Sequence, residues 1–132
     1  PGDASEETAD WKRFLEGAEK KNIPFSKGRY FQWRNYWDYS GGISTDLLVH
    51  QTDITNFVVG SLVKAELPIS CMASGGIYQW GTPDDREVPD TLSALYEYPN
   101  KFHLNYSCFF GNDQWGYGEE FMGQKGTIEV KD

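Results

Sequence analysis

Apolar residues recur along this chain with two different periods, and the change between them divides it. In residues 5–21, Trp11, Phe14, Leu15 and Ala18 fall at i, i+3, i+4 and i+7 with charged residues between them, the pattern of an amphipathic helix. Glu6 and Glu7 in its first turn and Lys20 and Lys21 in its last complement the helix dipole, and Asn22 and Pro24 stop it. Residues 25–39 are dense in aromatics, include Arg29 and Arg34 and keep no clean period. They predict a loop or short irregular helix of the kind that lines something. After Gly41 and Gly42 a second helix is expected, capped by Ser44 or Thr45, running to about Val59 and ended by Gly60. Its apolar set is Leu47, Leu48, Val49, Ile54, Phe57 and Val58.

From Ile69 onward the texture is that of strands. Residues 69–80 predict one, and residues 91–98 and 101–110 predict a hairpin joined by a two-residue turn at Pro99 and Asn100. Phe121 and Met122 with residues 127–130, linked through Gly123 and Gly126, predict a further pair. Along the first hairpin Tyr96, Tyr98, His103, Asn105 and Tyr106 partly alternate, so an outward apolar face there would favour assembly. Helices first and consecutive antiparallel strands afterwards argue for α+β: a largely antiparallel sheet with helices packed on one face. Residues 1–132 form one unit, helical over about 5–60 and sheet over about 69–130, with no internal repeat.

Composition narrows the partners. Of 132 residues, 39% are hydrophobic and 16% aromatic, enough to build a core and to set disorder aside. The net charge of −8, with no basic cluster larger than Lys20 and Lys21, opposes binding to nucleic acid. No stretch has the apolar length of a membrane span. Five Trp, eight Tyr and eight Phe suit cores, interfaces and sugar sites equally. Cys71 and Cys108 are too far apart for a compact metal motif and too few for a disulfide scaffold, so buried free thiols are expected over a cross-strand disulfide. The chain starts at Pro1 and its methionines are Met72 and Met122, as expected of a processed or excised piece of a longer protein.

The candidate chemistry lies in residues 41–53. On a helix Asp46, His50 and Asp53 are spaced i, i+4 and i+7 and share a face. Asp46, held ionised in the first turn, can hydrogen-bond the imidazole of His50, fix its tautomer and raise its basicity, so that His50 takes a proton from a hydroxyl. An Asp–His pair at this spacing is also common as a weak surface ion pair. A metal bound by Asp46, His50 and Asp53 would have a thin ligand set, the other histidine being His103, and no metal is expected. Residues 84–87 read as a solvated loop, and Asn112, Asp113 and Gln114 lack the other ligands of a calcium loop. Asn105-Tyr106-Ser107 is a chance glycosylation match in a strand.

The run Arg34-Asn35-Tyr36-Trp37-Asp38-Tyr39-Ser40-Gly41-Gly42, followed by Asp46 and His50, resembles the signature of the glucose–fructose oxidoreductase / inositol dehydrogenase (Gfo/Idh/MocA) family. The order of elements resembles its C-terminal domain over nearly the whole chain. The resemblance implies the substrate-binding half of an NAD- or NADP-dependent oxidoreductase acting on a hydroxyl of a sugar, polyol or related compound. His50 would be the proton acceptor, and Asp46 its orienting partner or a ligand of a substrate hydroxyl. Arg34, Trp37 and Tyr39 would contribute to the substrate pocket, with Asp53 a further position of the same helix face. The cofactor would be bound mainly by an N-terminal dinucleotide-binding domain that this chain lacks. There is no Gly-x-Gly-x-x-Gly here: Gly116-Tyr117-Gly118 continues into Glu119 and Glu120, and the family's first-domain lysine is missing too. The fragment is therefore expected to be half an active site, inactive alone. Its expected partners are that domain, the substrate and further copies joined through the open sheet face. The expected compartment is the cytoplasm, with export to the periplasm left open because the native N-terminus is not present. The alternative is a non-catalytic carbohydrate-binding or dimerisation module built on an aromatic-rich sheet.

Overall fold

The structure, a computed structural model, describes residues 3–19, 22–64, 66–81, 85–114 and 116–131. Lys20, Lys21 and Asp84, which figured in the expectations above, lie outside the described residues.

The first helix is much shorter than its pattern predicts: α1 covers Trp11–Leu15 only. Ser5 and Thr8 intervene, because the Ser5 N–H donates to Thr8 Oγ1 at 2.8 Å and the Thr8 N–H to Ser5 Oγ at 3.2 Å. Such side chains offer the backbone a turn in place of a helix. Asp10 then adopts a left-handed conformation, φ 44° and ψ 53°, which no continuing helix tolerates. Glu6 and Glu7 consequently precede α1 instead of occupying its first turn. Trp11 and Leu15 are buried as the period requires. Trp11 anchors an aromatic cluster, stacking on Phe14 at 5.1 Å and meeting Phe25, Tyr30 and Tyr39 edge-on. Its indole N–H donates to the Ile23 carbonyl at 2.8 Å.

The aromatic segment that follows is irregular, as expected: α2 (Lys27–Phe31), capped by Ser26 Oγ, and a 3-10 turn over Trp33–Asn35. The second predicted helix is divided in two. Gly42, not Ser44 or Thr45, caps α3 (Ile43–Asp46), and α4 (Leu48–Leu62) continues through Gly60 to Leu62. The break falls at Leu47, where the His50 N–H bonds the Leu47 carbonyl three residues back at 3.0 Å. Thr45 instead reaches back, its Oγ1 accepting the Gly41 N–H at 3.0 Å.

Strands β1 (Ser70–Gly76), β2 (Thr91–Tyr98) and β3 (Phe102–Phe109) form an antiparallel meander, and β4 (Gly118–Gly123) with β5 (Gly126–Lys131) forms a separate two-stranded hairpin. The α+β reading holds. The turn between β2 and β3 is one residue longer than predicted: Tyr98 faces Phe102, and Lys101 takes φ 60°. A three-residue loop ending in a left-handed residue is the standard alternative to the two-residue turn.

The period of two assigns the faces. Leu92, Ala94 and Tyr96 of β2 and Tyr106 and Cys108 of β3 meet Ile43, Leu47 and Leu48 of the helical layer. Tyr98, on the same face, donates its hydroxyl to Asn56 Oδ1 at 3.1 Å and ties β2 to α4. His103 and Asn105 belong to the opposite, open face. Cys71 lies opposite Tyr96 and Cys108 opposite Leu92, on the two strands that flank β2. They are therefore offset along it by about 13 Å, beyond the roughly 7 Å that a disulfide spans. Both thiols are free but not buried as expected, Cys71 being exposed and Cys108 half-buried. Among the described residues no helix is long and apolar enough to cross a membrane.

Candidate functional site

The site is assembled where the aromatic segment, the start of α3 and the strap of residues 85–90 meet. Gly42 makes the approach possible. Its φ is +69°, and a Cβ built on it would stand 3.0 Å from Cβ of Val88, which is itself fully buried. A side chain at position 42 would meet both backbone strain and a clash.

The strap is not the solvated loop that its charges suggest. The Asn35 carbonyl accepts the N–H groups of Glu87 at 2.8 Å and Val88 at 3.2 Å. Glu87 accepts from Arg29 Nη2 at 2.8 Å through one oxygen and from the Trp37 N–H at 3.0 Å through the other. That hydrogen bond is the main reason the Arg29 guanidinium is held above its ordinary value. Arg29 also lies 4.2 Å over the ring of buried Tyr36, whose hydroxyl donates to Asp85 Oδ1 at 2.6 Å. Asp90 closes the strap. It is fully buried and accepts from the N–H groups of Tyr78, Gln79 and Trp80 at 3.0, 2.9 and 3.0 Å and from the Thr91 hydroxyl at 2.9 Å. Burial pushes this carboxyl up, but the four donors outweigh it and hold it at about 2.

Between these elements opens a cleft of about 150 Å³, lined in part by Arg34, Asp46, Arg86, Val88, Pro89 and Phe110. Arg34 Nε donates to Asp46 Oδ2 at 2.8 Å while its guanidinium lies 4.1 Å from the centroid of the Trp33 ring. The cleft thus brings together two of the candidates, Arg34 and Asp46. In this arrangement the Asp46 carboxylate is held by Arg34 and not by His50, because the break at Leu47 separates the first turn of α3 from α4.

The other candidates lie elsewhere. His50 and Asp53 are exposed on α4. There they share a face with Ile54 and Phe57, the latter 78% exposed, opposite the buried Leu48, Gln51 and Thr55. Trp37 is exposed, with its backbone N–H held by Glu87. Tyr39 belongs to the Trp11 cluster, where burial raises its hydroxyl above the ordinary value. Among the described residues no three His, Cys, Asp or Glu side chains converge to hold a metal ion. Arg86, Glu87 and Asp90 went unassigned from sequence. Nothing local marks them, and only the long-range pairing of the strap with residues 35–37 does.

A family model for the GFO/IDH/MocA C-terminal domain matches residues 18–129, most of the chain. The chain belongs to the GFO/IDH/MocA C-terminal domain family. No curated protein and no solved structure matches it significantly. Membership makes it an oxidoreductase-type domain, from a two-domain family of NAD(P)-dependent oxidoreductases. The described residues of this GFO/IDH/MocA domain do not themselves fit a dinucleotide. Gly116 and Gly118 lead directly into β4, where Gly118 pairs with Lys131, and Glu119 follows. A pyrophosphate needs a glycine turn opening a helix, not a strand start followed by carboxylates.

Proposed function

We propose that this GFO/IDH/MocA domain supplies the substrate-facing, proton-transferring half of an NAD(P)-dependent oxidoreductase that acts on a hydroxyl of a sugar, polyol or related compound. His50 accepts the hydroxyl proton. Asp46 and Arg34 hold substrate hydroxyls at the cleft, with Trp37, Tyr39 and Asp53 as outer contributors. The nicotinamide is held by a dinucleotide-binding domain and not by these residues, so the domain alone does not turn over.

The observation that carries this reading is the exposed face of α4. His50 sits in line with Ile54 and Phe57, and an apolar helix face open to water is one that a partner surface covers. Asp46 ends α3 at the rim of the cleft, just before α4 begins, so a closing domain would join the two. The test is His50→Ala in the protein carrying its dinucleotide-binding domain. Turnover should fall by a factor on the order of 10² or more with the circular dichroism spectrum unchanged, and near-normal turnover refutes the assignment.

A second role is favoured by the open sheet face, where Met72 and Leu95 stand directly opposite one another and Met72 is 75% exposed. Association of copies through that face is compatible with catalysis. Light scattering of the chain, with and without Leu95→Glu, separates assembly from monomeric behaviour.

A further inference from the structure

The cleft carries a charge that the chain as a whole does not. In a protein of net charge −8, two arginines reach one cavity of about 150 Å³. Arg34 is neutralised by Asp46. Of the acids beside Arg86 in sequence, Glu87 is held by Arg29 and the Trp37 N–H, and Asp85, which accepts from the neutral Tyr36 hydroxyl, is not among the residues lining the cleft. Among the described residues Arg86 has no ion pair, its Nε is shielded from water without a hydrogen-bond partner, and its guanidinium lies 5.4 Å from the centroid of the Trp80 ring. A buried donor on a charged group left unmade is costly, and an anion placed against it removes that cost. Val88, Pro89 and Phe110 supply an apolar wall. A volume of this order admits one six-membered ring. One uncompensated guanidinium balances one negative charge, which suits a carboxylate better than a doubly charged phosphate.

We infer that the cleft takes a carboxylate-bearing sugar or polyol, of the uronic or aldonic acid class, with the carboxylate on Arg86 and hydroxyls directed to Asp46 and Arg34. This rests on the oxidoreductase reading of the same site and narrows its substrate class. Arg86 acts as a specificity determinant, discriminating the acid from its neutral counterpart.

The experiment titrates the isotopically labelled chain with glucuronate, galacturonate and gluconate, and in parallel with glucose, galactose and glucitol, following the Arg86 Nε–H and Gly42 amide resonances. At least one acid should bind about tenfold or more tighter than its neutral counterpart, as expected for one charge-assisted hydrogen bond. Arg86→Gln should abolish the preference. If the amide spectrum shows that Arg86→Gln does not fold, Arg86→Lys, which keeps the charge but loses the fork, should reduce the preference. Equal binding of acids and neutral compounds, a preference that survives Arg86→Gln, or tighter binding of glucose 6-phosphate than of every acid overturns the inference. Binding here requires neither cofactor nor His50, so His50→Ala should leave the acid preference unchanged. Absent preference alongside a catalytic loss in His50→Ala sinks only the substrate class. Intact preference with undiminished turnover in His50→Ala sinks only the assignment of His50 as proton acceptor.

Discussion

Asp90 offers the sharpest quantitative test of how the site is held. Its carboxylate is wholly buried yet ionised, because three backbone N–H groups of residues 78–80 and the Thr91 hydroxyl point at it. The folded-state value of about 2 lies below the carboxyl's ordinary value of 3.8. A folded value depressed in this way contributes stability that is fully present above the unfolded value and is lost as pH falls through the folded one. At about 1.4 kcal/mol per unit, the difference amounts to about 2 kcal/mol at neutral pH, with about 1 kcal/mol already gone by pH 3. Asp90→Asn keeps the shape but turns an amide N–H₂ toward backbone donors, so it should cost about 2 kcal/mol at pH 7. Because it also removes the titrating group, the gap between variant and parent should narrow by about 1 kcal/mol between pH 7 and pH 3. Urea denaturation followed by tryptophan fluorescence at a series of pH values reads both quantities. Equal stabilities at pH 7, or a gap that stays constant down to pH 3, would refute the claim that the strap is pinned by an ionised Asp90.

Gly42→Ala should destabilise by about 1–3 kcal/mol, from the left-handed backbone together with overpacking against Val88, and thermal denaturation measures it. In the same variant the Gly41–Asp46 amide resonances should shift, since Gly42 caps α3. Tyr98→Phe removes the bond to Asn56 from a buried position and should cost about 1 kcal/mol in the urea midpoint with no change in the slope.

Alternation along residues 91–98 and 101–110 marked them as paired strands, but which face is covered came only with the structure, where Ala94, Tyr98 and Tyr106 are buried and Leu95 is exposed. The same logic carried the order of elements and the α+β class. It failed at α1, where Ser5, Thr8 and Asp10 made local hydrogen bonds and a left-handed turn that an apolar period cannot register. It overreached at Asp46 and His50 as a hydrogen-bonded pair, because spacing presumes an unbroken helix and the chain breaks at Leu47.

Residues 41–53 marked Asp46 and His50 as candidates, because a dipole and a helical face are properties of neighbours in sequence, but the cap lies at Gly42 and the face breaks at Leu47. Arg86, Glu87 and Asp90 read as ordinary loop charges until the strap folded back on Asn35 and Trp37, some fifty residues away. Burial, unmet donors and charge balance are set by what surrounds a group in space, and that information comes into being when distant segments close on one another.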